Sequence, residues 1–220
     1  MICLFKIQKS NTYPPSGVLV PKGRERFFFI ITPFGMKRLC YLLLFFCQLG
    51  AHSCHAQWIV GLAARWNDDF SEWVILTDDE TLEGQLNVRW PQQNDWGDWQ
   101  YRLGEAVGTI QLKWANNWNE WEARGDNEIA TARTVWNNNF REWRISDSQY
   151  TFTLRTRFGN LWDEWEIRSN NAGAFSMATR WEGDPRDWNV WDELPEELPM
   201  PTRMLLVFIV MHQSTAPFRN

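Results

Sequence analysis

From residue 57 onward, apolar and polar side chains alternate in short runs. Leu86, Val88 and Trp90 share one parity, with Gln85, Asn87 and Arg89 on the other. Ile110, Leu112 and Trp114 repeat this against Gln111 and Lys113, and Phe175, Met177, Thr179 and Trp181 do so again. A period of two marks a strand with one face buried. Each run meets a cluster of Asn, Asp, Gly or Pro, the composition of a turn. A second alternating run follows, as in Trp99, Tyr101 and Leu103 against Gln100 and Arg102. The unit is a β-hairpin.

The hairpin recurs. Its leading aromatics are Trp66, Trp90, Trp114, Trp136, Phe158 and Trp181, spaced 24, 24, 22, 22 and 23 residues apart. A second tryptophan closes each turn, at Trp73, Trp99, Trp121, Trp143, Trp165 and Trp188. An acid precedes it every time: Glu72, Asp98, Glu120, Glu142, Glu164 and Asp187. Parity places the tryptophans of both sets, Trp66, Trp90, Trp114, Trp136 and Trp181 included, in the core. Six hairpins over residues 57–192 make about twelve strands, and the short links between them favour an antiparallel meander.

An open sheet would leave its apolar face wet, so the strands must close. The expected fold class is all-β: a meander of about six Trp-rich hairpins forming a closed or flattened barrel or a sandwich. A β-trefoil, which also has six hairpins, is the alternative. A propeller of double repeats would have three blades, too few. Residues 193–203 read as a proline-punctuated linker. Residues 204–220 open with the apolar run Met204–Met211 and read as a buried or closing strand, or a docking tail.

The first 56 residues differ. Met36-Lys37-Arg38, an apolar run from Leu39 to Cys47, and a short stretch ending in Ala56 have the order of a cleavable signal peptide over 36–56. The apolar run is short of the ~20 residues needed to span a bilayer. Ala51-His52-Ser53 before Cys54 fits a lipid-modified cysteine poorly. Residues 1–35 then read as a spurious N-terminal extension. The expected address is periplasmic, cell-surface or secreted, with a bacterial envelope the expected setting. All four cysteines lie in the first 54 residues, so cleavage after Ala56 leaves a chain without disulfides.

Charge narrows the partners. Residues 57–220 hold 15 Lys+Arg and 26 Asp+Glu, a formal charge of −11. That argues against nucleic acid, whose phosphates need a basic patch, and against anionic lipid. After Ala56 only His212 remains among the histidines, which excludes Ser-His-Asp and Cys-His catalysis within the repeats and His/Cys zinc sites. No Gly-rich phosphate loop is present. No cofactor is expected. Ca²⁺ on the Asn/Asp turns has suitable oxygen ligands, but the spacing of a calcium loop is missing.

The aromatics inside the turns remain: Phe70, Trp96, Trp118, Phe140 and Trp162. Turns lie on the surface, and an exposed ring beside amides and carboxylates suits a sugar, stacking on its apolar face while polar groups bond its hydroxyls. With Asn117, Asn139 and Asn160 they form the candidate ligand set. The structural alternative is that each ring folds back as a lid on the sheet. The leading functional reading is an exported binding module for polysaccharide or cell-surface glycan. A structural or adhesive surface scaffold is second. An outer-membrane β-barrel and a carboxylate-pair glycosidase come after. The in-register acids suit pairing with a neighbouring cation better than catalysis, because a catalytic pair breaks symmetry.

Overall fold

The structure is a computed structural model that describes residues 59–93, 95–167 and 173–216. The segments read as a spurious extension (1–35) and a signal peptide (36–56) lie outside the described residues. Twelve strands run in order: β1 Ile59–Ala64, β2 Glu72–Thr77, β3 Glu83–Val88, β4 Asp98–Leu103, β5 Ala106–Leu112, β6 Glu120–Gly125, β7 Glu128–Thr134, β8 Glu142–Ser146, β9 Thr151–Thr156, β10 Glu164–Ile167, β11 Phe175–Trp181 and β12 Asp184–Asp192. Each pairs antiparallel with the next, and β12 pairs with β1 to close a barrel. The meander is as expected. Closure into a single barrel replaces the sandwich and the trefoil.

Short reversals join the hairpins at one end of the barrel. Asp126 and Asn127, between β6 and β7, both have positive φ, 51° and 63°. This is the primed turn whose twist matches a hairpin, and Asn and Asp tolerate it.

Met204–Met211 is buried, but it is no strand. Met200–Thr215 form one helix, α1. Every residue from Pro201 to Thr215 is buried. Phe208 packs edge-on against the inward Trp99 and Trp121, with ring centroids 5.5 and 4.7 Å apart. The helix therefore fills the lumen. Twelve strands at ~4.8 Å spacing, tilted ~40°, enclose a backbone cylinder roughly 24 Å across, which leaves room for one helix ringed by side chains. A helix surrounded on all sides needs no polar face, and an apolar run that is buried all round reads equally as strand or helix. Residues 193–203 are likewise more than a linker: Leu194 and Leu198 are buried, and the last four residues begin the helix.

The helix is fastened at both ends. Near its start, Thr202 donates to Asp147 in the β8–β9 link (2.6 Å). Arg203 donates to Asp192 and to the Pro195 carbonyl. Near its end, Trp165 donates to Ser214, which donates to the Trp162 carbonyl. Inward residues are small where the helix packs against β6 and β7: Ala123, Ala130 and Ala132.

Glycine makes a further allowance. The Tyr101 ring lies on Gly108, where a Cβ would sit 2.3 Å from the phenol and 2.4 Å from the Arg124 carbonyl oxygen. Burial, reinforced by Asp126, pushes the Tyr101 hydroxyl well above its ordinary pKa. Gly108→Ala is expected to cost roughly 1–3 kcal/mol, as overpacking does, read as a lower urea midpoint with an unchanged slope.

The six second tryptophans are in the core as expected, from Trp73 to Trp188, each no more than 2% exposed. The leading tryptophans are not. Trp66, Trp90, Trp114, Trp136 and Trp181 are 49–66% exposed. The reason is where the ladder stops. The last pairing bond at five tips is made by the preceding residue: Arg65 N–H to Glu72 O, Arg89 to Asp98, Lys113 to Glu120, Val135 to Glu142 and Arg157 to Glu164. Beyond it the backbone turns and strand parity no longer applies. At Trp181 a bulge after Thr179 does the same.

The outward rows of three strands are polar, while Val60, Val107, Ile129 and Trp191 are exposed on others. The polar rows read Glu83, Gln85, Asn87 on β3, Asp98, Gln100, Arg102 on β4, and Glu120, Glu122, Arg124 on β6. These three rows carry none of the apolar band ~25 Å tall that a lipid-facing wall needs.

Candidate functional site: an aromatic crown

All six hairpin tips lie at the same end of the barrel, because the barrel is a closed meander of paired hairpins. That end carries the leading aromatics as a ring: Trp66, Trp90, Trp114, Trp136, Phe158 (45% exposed) and Trp181. Tips two strands apart stand roughly 12 Å from each other around the rim.

Each tip is built by the same local rules. The leading aromatic starts a turn: its carbonyl accepts the N–H three residues on, as Trp114 from Asn117 (3.0 Å) and Trp136 from Asn139 (2.9 Å). Asn116 and Asn138 take the left-handed position, φ 62°. An Asx side chain then caps the next residues. Asp69, Asp95, Asn117, Asn139 and Asp184 each accept the backbone N–H two residues on. Leu161 holds that place in the fifth repeat.

The acid before each inner tryptophan is tied to the base of the crown. Glu72 accepts from the Trp66 indole (3.2 Å) and meets Arg65 (3.6 Å). Glu120 does the same for Trp114 and Lys113 (3.2 and 3.9 Å). Arg89 pairs with Asp98 and Arg157 with Glu164 (3.2 and 3.1 Å). Such exposed pairs add little stability, but they set a cation, a carboxylate and a flat ring side by side. Among the described residues no group of three or more His, Cys, Asp and Glu side chains could hold a metal ion.

The turn aromatics are placed differently. Phe70, Trp96, Trp118, Phe140 and Trp162 fold back over the inner tryptophan of their own hairpin, with centroids 5.8–6.2 Å apart. The indole N–H of that tryptophan donates to the carbonyl of the folded-back residue three before it: Trp73 to Phe70, Trp99 to Trp96, Trp143 to Phe140, Trp165 to Trp162, and Trp188 to Pro185 (2.8–3.0 Å). Trp121 departs from this. Its indole nitrogen has no partner, and its ring packs edge-on to His212 of α1 (4.8 Å). Trp118, 39% exposed, stacks on the same imidazole (5.8 Å). Asn117 and Asn139 turn their side-chain carbonyls to capping, and Asn160 is exposed.

The chain matches no family model, no curated protein and no solved structure.

The crown must therefore be read from its own geometry. The rings that face solvent are mainly those at the start of the turn, which parity had placed in the core. A signal was present in the sequence. Five of the six leading aromatics directly follow a cation: Arg65, Arg89, Lys113, Arg157 and Arg180. Arg89 and Arg157 lie over the rings they precede, 5.6 and 5.7 Å from the centroids. The described helix is too short to cross a membrane, and no other described helix does so.

Proposed function

We propose that this chain is an exported binding module that holds glycans on its aromatic crown. The observation that carries the reading is the six-fold recurrence of an exposed ring at one rim of a closed barrel. Each ring offers a face to a pyranose. The neighbouring cation–carboxylate pairs of the crown offer donors and acceptors to its hydroxyls. An acidic segment, −11 over residues 57–220, favours neutral polysaccharide over phosphate-rich partners. Repeated weak stations act together, since tethering raises the effective concentration of each next contact. Export rests on the signal-like segment 36–56. An adhesive scaffold working through its acidic face has less support, because Glu72, Asp98, Glu120 and Glu164 already have cationic neighbours.

Retention on insoluble polysaccharides tests this. Trp114→Ala with Trp136→Ala removes two adjacent stations. Retention is expected to weaken by about tenfold or more, through lost avidity. Retention by the double variant equal to that of the parent chain would sink the crown reading.

A further inference from the structure

The crown is six-fold in its leading rings but not in its lids. Five hairpins fold an aromatic back over their inner tryptophan. The sixth has Pro185 at that position, marked by the same bond from Trp188 (2.8 Å). Its tip is a tight reversal through Gly183, φ +74°, and a Cβ there would meet nothing within 4 Å. Where the sixth lid would lie, a cavity of about 270 Å³ opens between the fifth and sixth hairpins.

Its walls are chemically mixed. Trp162, Pro185 and Trp188 supply apolar surface. Asp163 supplies a carboxylate and Thr179 a hydroxyl, while the buried Ser214 hydroxyl is already bonded to the Trp165 indole and the Trp162 carbonyl. The walls are also held in place. The Thr179 N–H donates to the Asp163 carbonyl (2.9 Å) and the Gly183 N–H to its side chain (3.1 Å). Arg141 stacks on Trp162 at 4.0 Å and donates to the Leu161 carbonyl. The volume lies just below the ~300 Å³ lower bound for drug-sized ligand sites, so the notch has room for one small ring and not for a chain.

We propose that this notch binds a single pyranose unit, the exposed end of a glycan whose body lies on the crown. The apolar wall formed by Trp162, Pro185 and Trp188 packs against the sugar, and Asp163, one of whose oxygens also holds the Gly183 N–H, accepts a charge-assisted hydrogen bond from a hydroxyl. The inference takes its ligand class from the glycan reading above, but its site is separate from the leading rings.

The test is titration of the full chain with the methyl glycosides of glucose, galactose, mannose and N-acetylglucosamine, followed by tryptophan fluorescence. At least one is expected to give a saturable change. Pro185→Phe restores the lid found in the other five hairpins and should weaken that response more than tenfold while the circular dichroism stays that of the parent chain. Asp163→Asn keeps an acceptor for the Gly183 N–H, removes the charge, and should weaken it about fivefold; it decides the matter if Pro185→Phe does not fold. Absence of a saturable response to all four glycosides overturns the notch proposal, as does full binding by a folded Pro185→Phe chain or, failing that, by Asp163→Asn. Failure of the crown reading shows elsewhere, as unchanged polysaccharide retention in the Trp114/Trp136 double variant.

Discussion

Arg203→Met is expected to lower the unfolding free energy by about 3–5 kcal/mol, the cost of stranding one partner of a buried ion pair. Arg203 and Asp192 have side chains only 4% and 1% exposed. The guanidinium also donates to the Pro195 carbonyl, and Asp192 accepts from the Leu194 N–H (3.1 Å), so four groups lose their arrangement together. The pair joins the start of α1 to the end of β12, which fixes the helix at the mouth of the lumen opposite the crown. The double variant Asp192→Leu with Arg203→Met should recover most of the loss, since well-packed apolar side chains replace buried pairs at little net cost.

The pH dependence of that loss has a definite sign. Burial raises the Asp192 carboxyl above its ordinary 3.8, with Arg203 pulling it back. Without Arg203 the rise is larger. A folded value above the unfolded one means that the fold holds a proton the unfolded chain has released. The resulting stability is present below the unfolded value and is lost as pH rises through the folded one. The Arg203→Met deficit should therefore be smallest near pH 4 and grow toward neutrality. Urea unfolding at several pH values checks this, and a deficit that does not change with pH would show that Asp192 stays ionised throughout.

The second large effect separates two tryptophans of one hairpin. Trp143→Ala should cost about 3–5 kcal/mol, in the range for emptying a large buried aromatic site. Trp143 is fully buried, lies under the tilted Phe140 ring, and donates to its carbonyl at 2.9 Å. Trp136→Ala, seven residues earlier, should move stability by no more than about 0.5 kcal/mol, as surface changes do. Trp136 is 66% exposed. Equal costs at the two positions, measured by urea unfolding, would mean that the leading ring packs against the barrel.

That pair also shows where sequence reasoning reached its limit. Trp136 and Trp143 have the same residue type and sit symmetrically about a turn. Parity treated them alike, because the alternation before Trp136 extends through it without a break. The strand pairing ends one residue earlier, at Val135, and that is set by how the Asn-rich turn folds. The turn aromatics were legible as a class. Whether Phe140 faced solvent or the inner ring depended on Trp143 offering its N–H to the Phe140 carbonyl, a contact that spacing alone does not show. Four of the six acids, Glu72, Asp98, Glu120 and Glu164, do stand beside a cation, since the cation directly before the leading ring faces the acid across the hairpin.

By itself the sequence determined the unit, its count and its order. Period-two alternation, turn residues and a 22–24-residue step specify six hairpins in an antiparallel meander, and these are local properties. The tertiary structure decided three things. Pairing of β1 with β12 chose a barrel. The closed barrel then made a lumen apolar on every side, in which 200–215 are a helix and not a strand, because only a helix satisfies its own backbone where every strand edge is already paired. And the bond from each inner tryptophan folded the turn rings inward, which left the leading rings facing solvent. Each of these depends on contacts between residues far apart in the chain, and alternation within a strand carries no record of them.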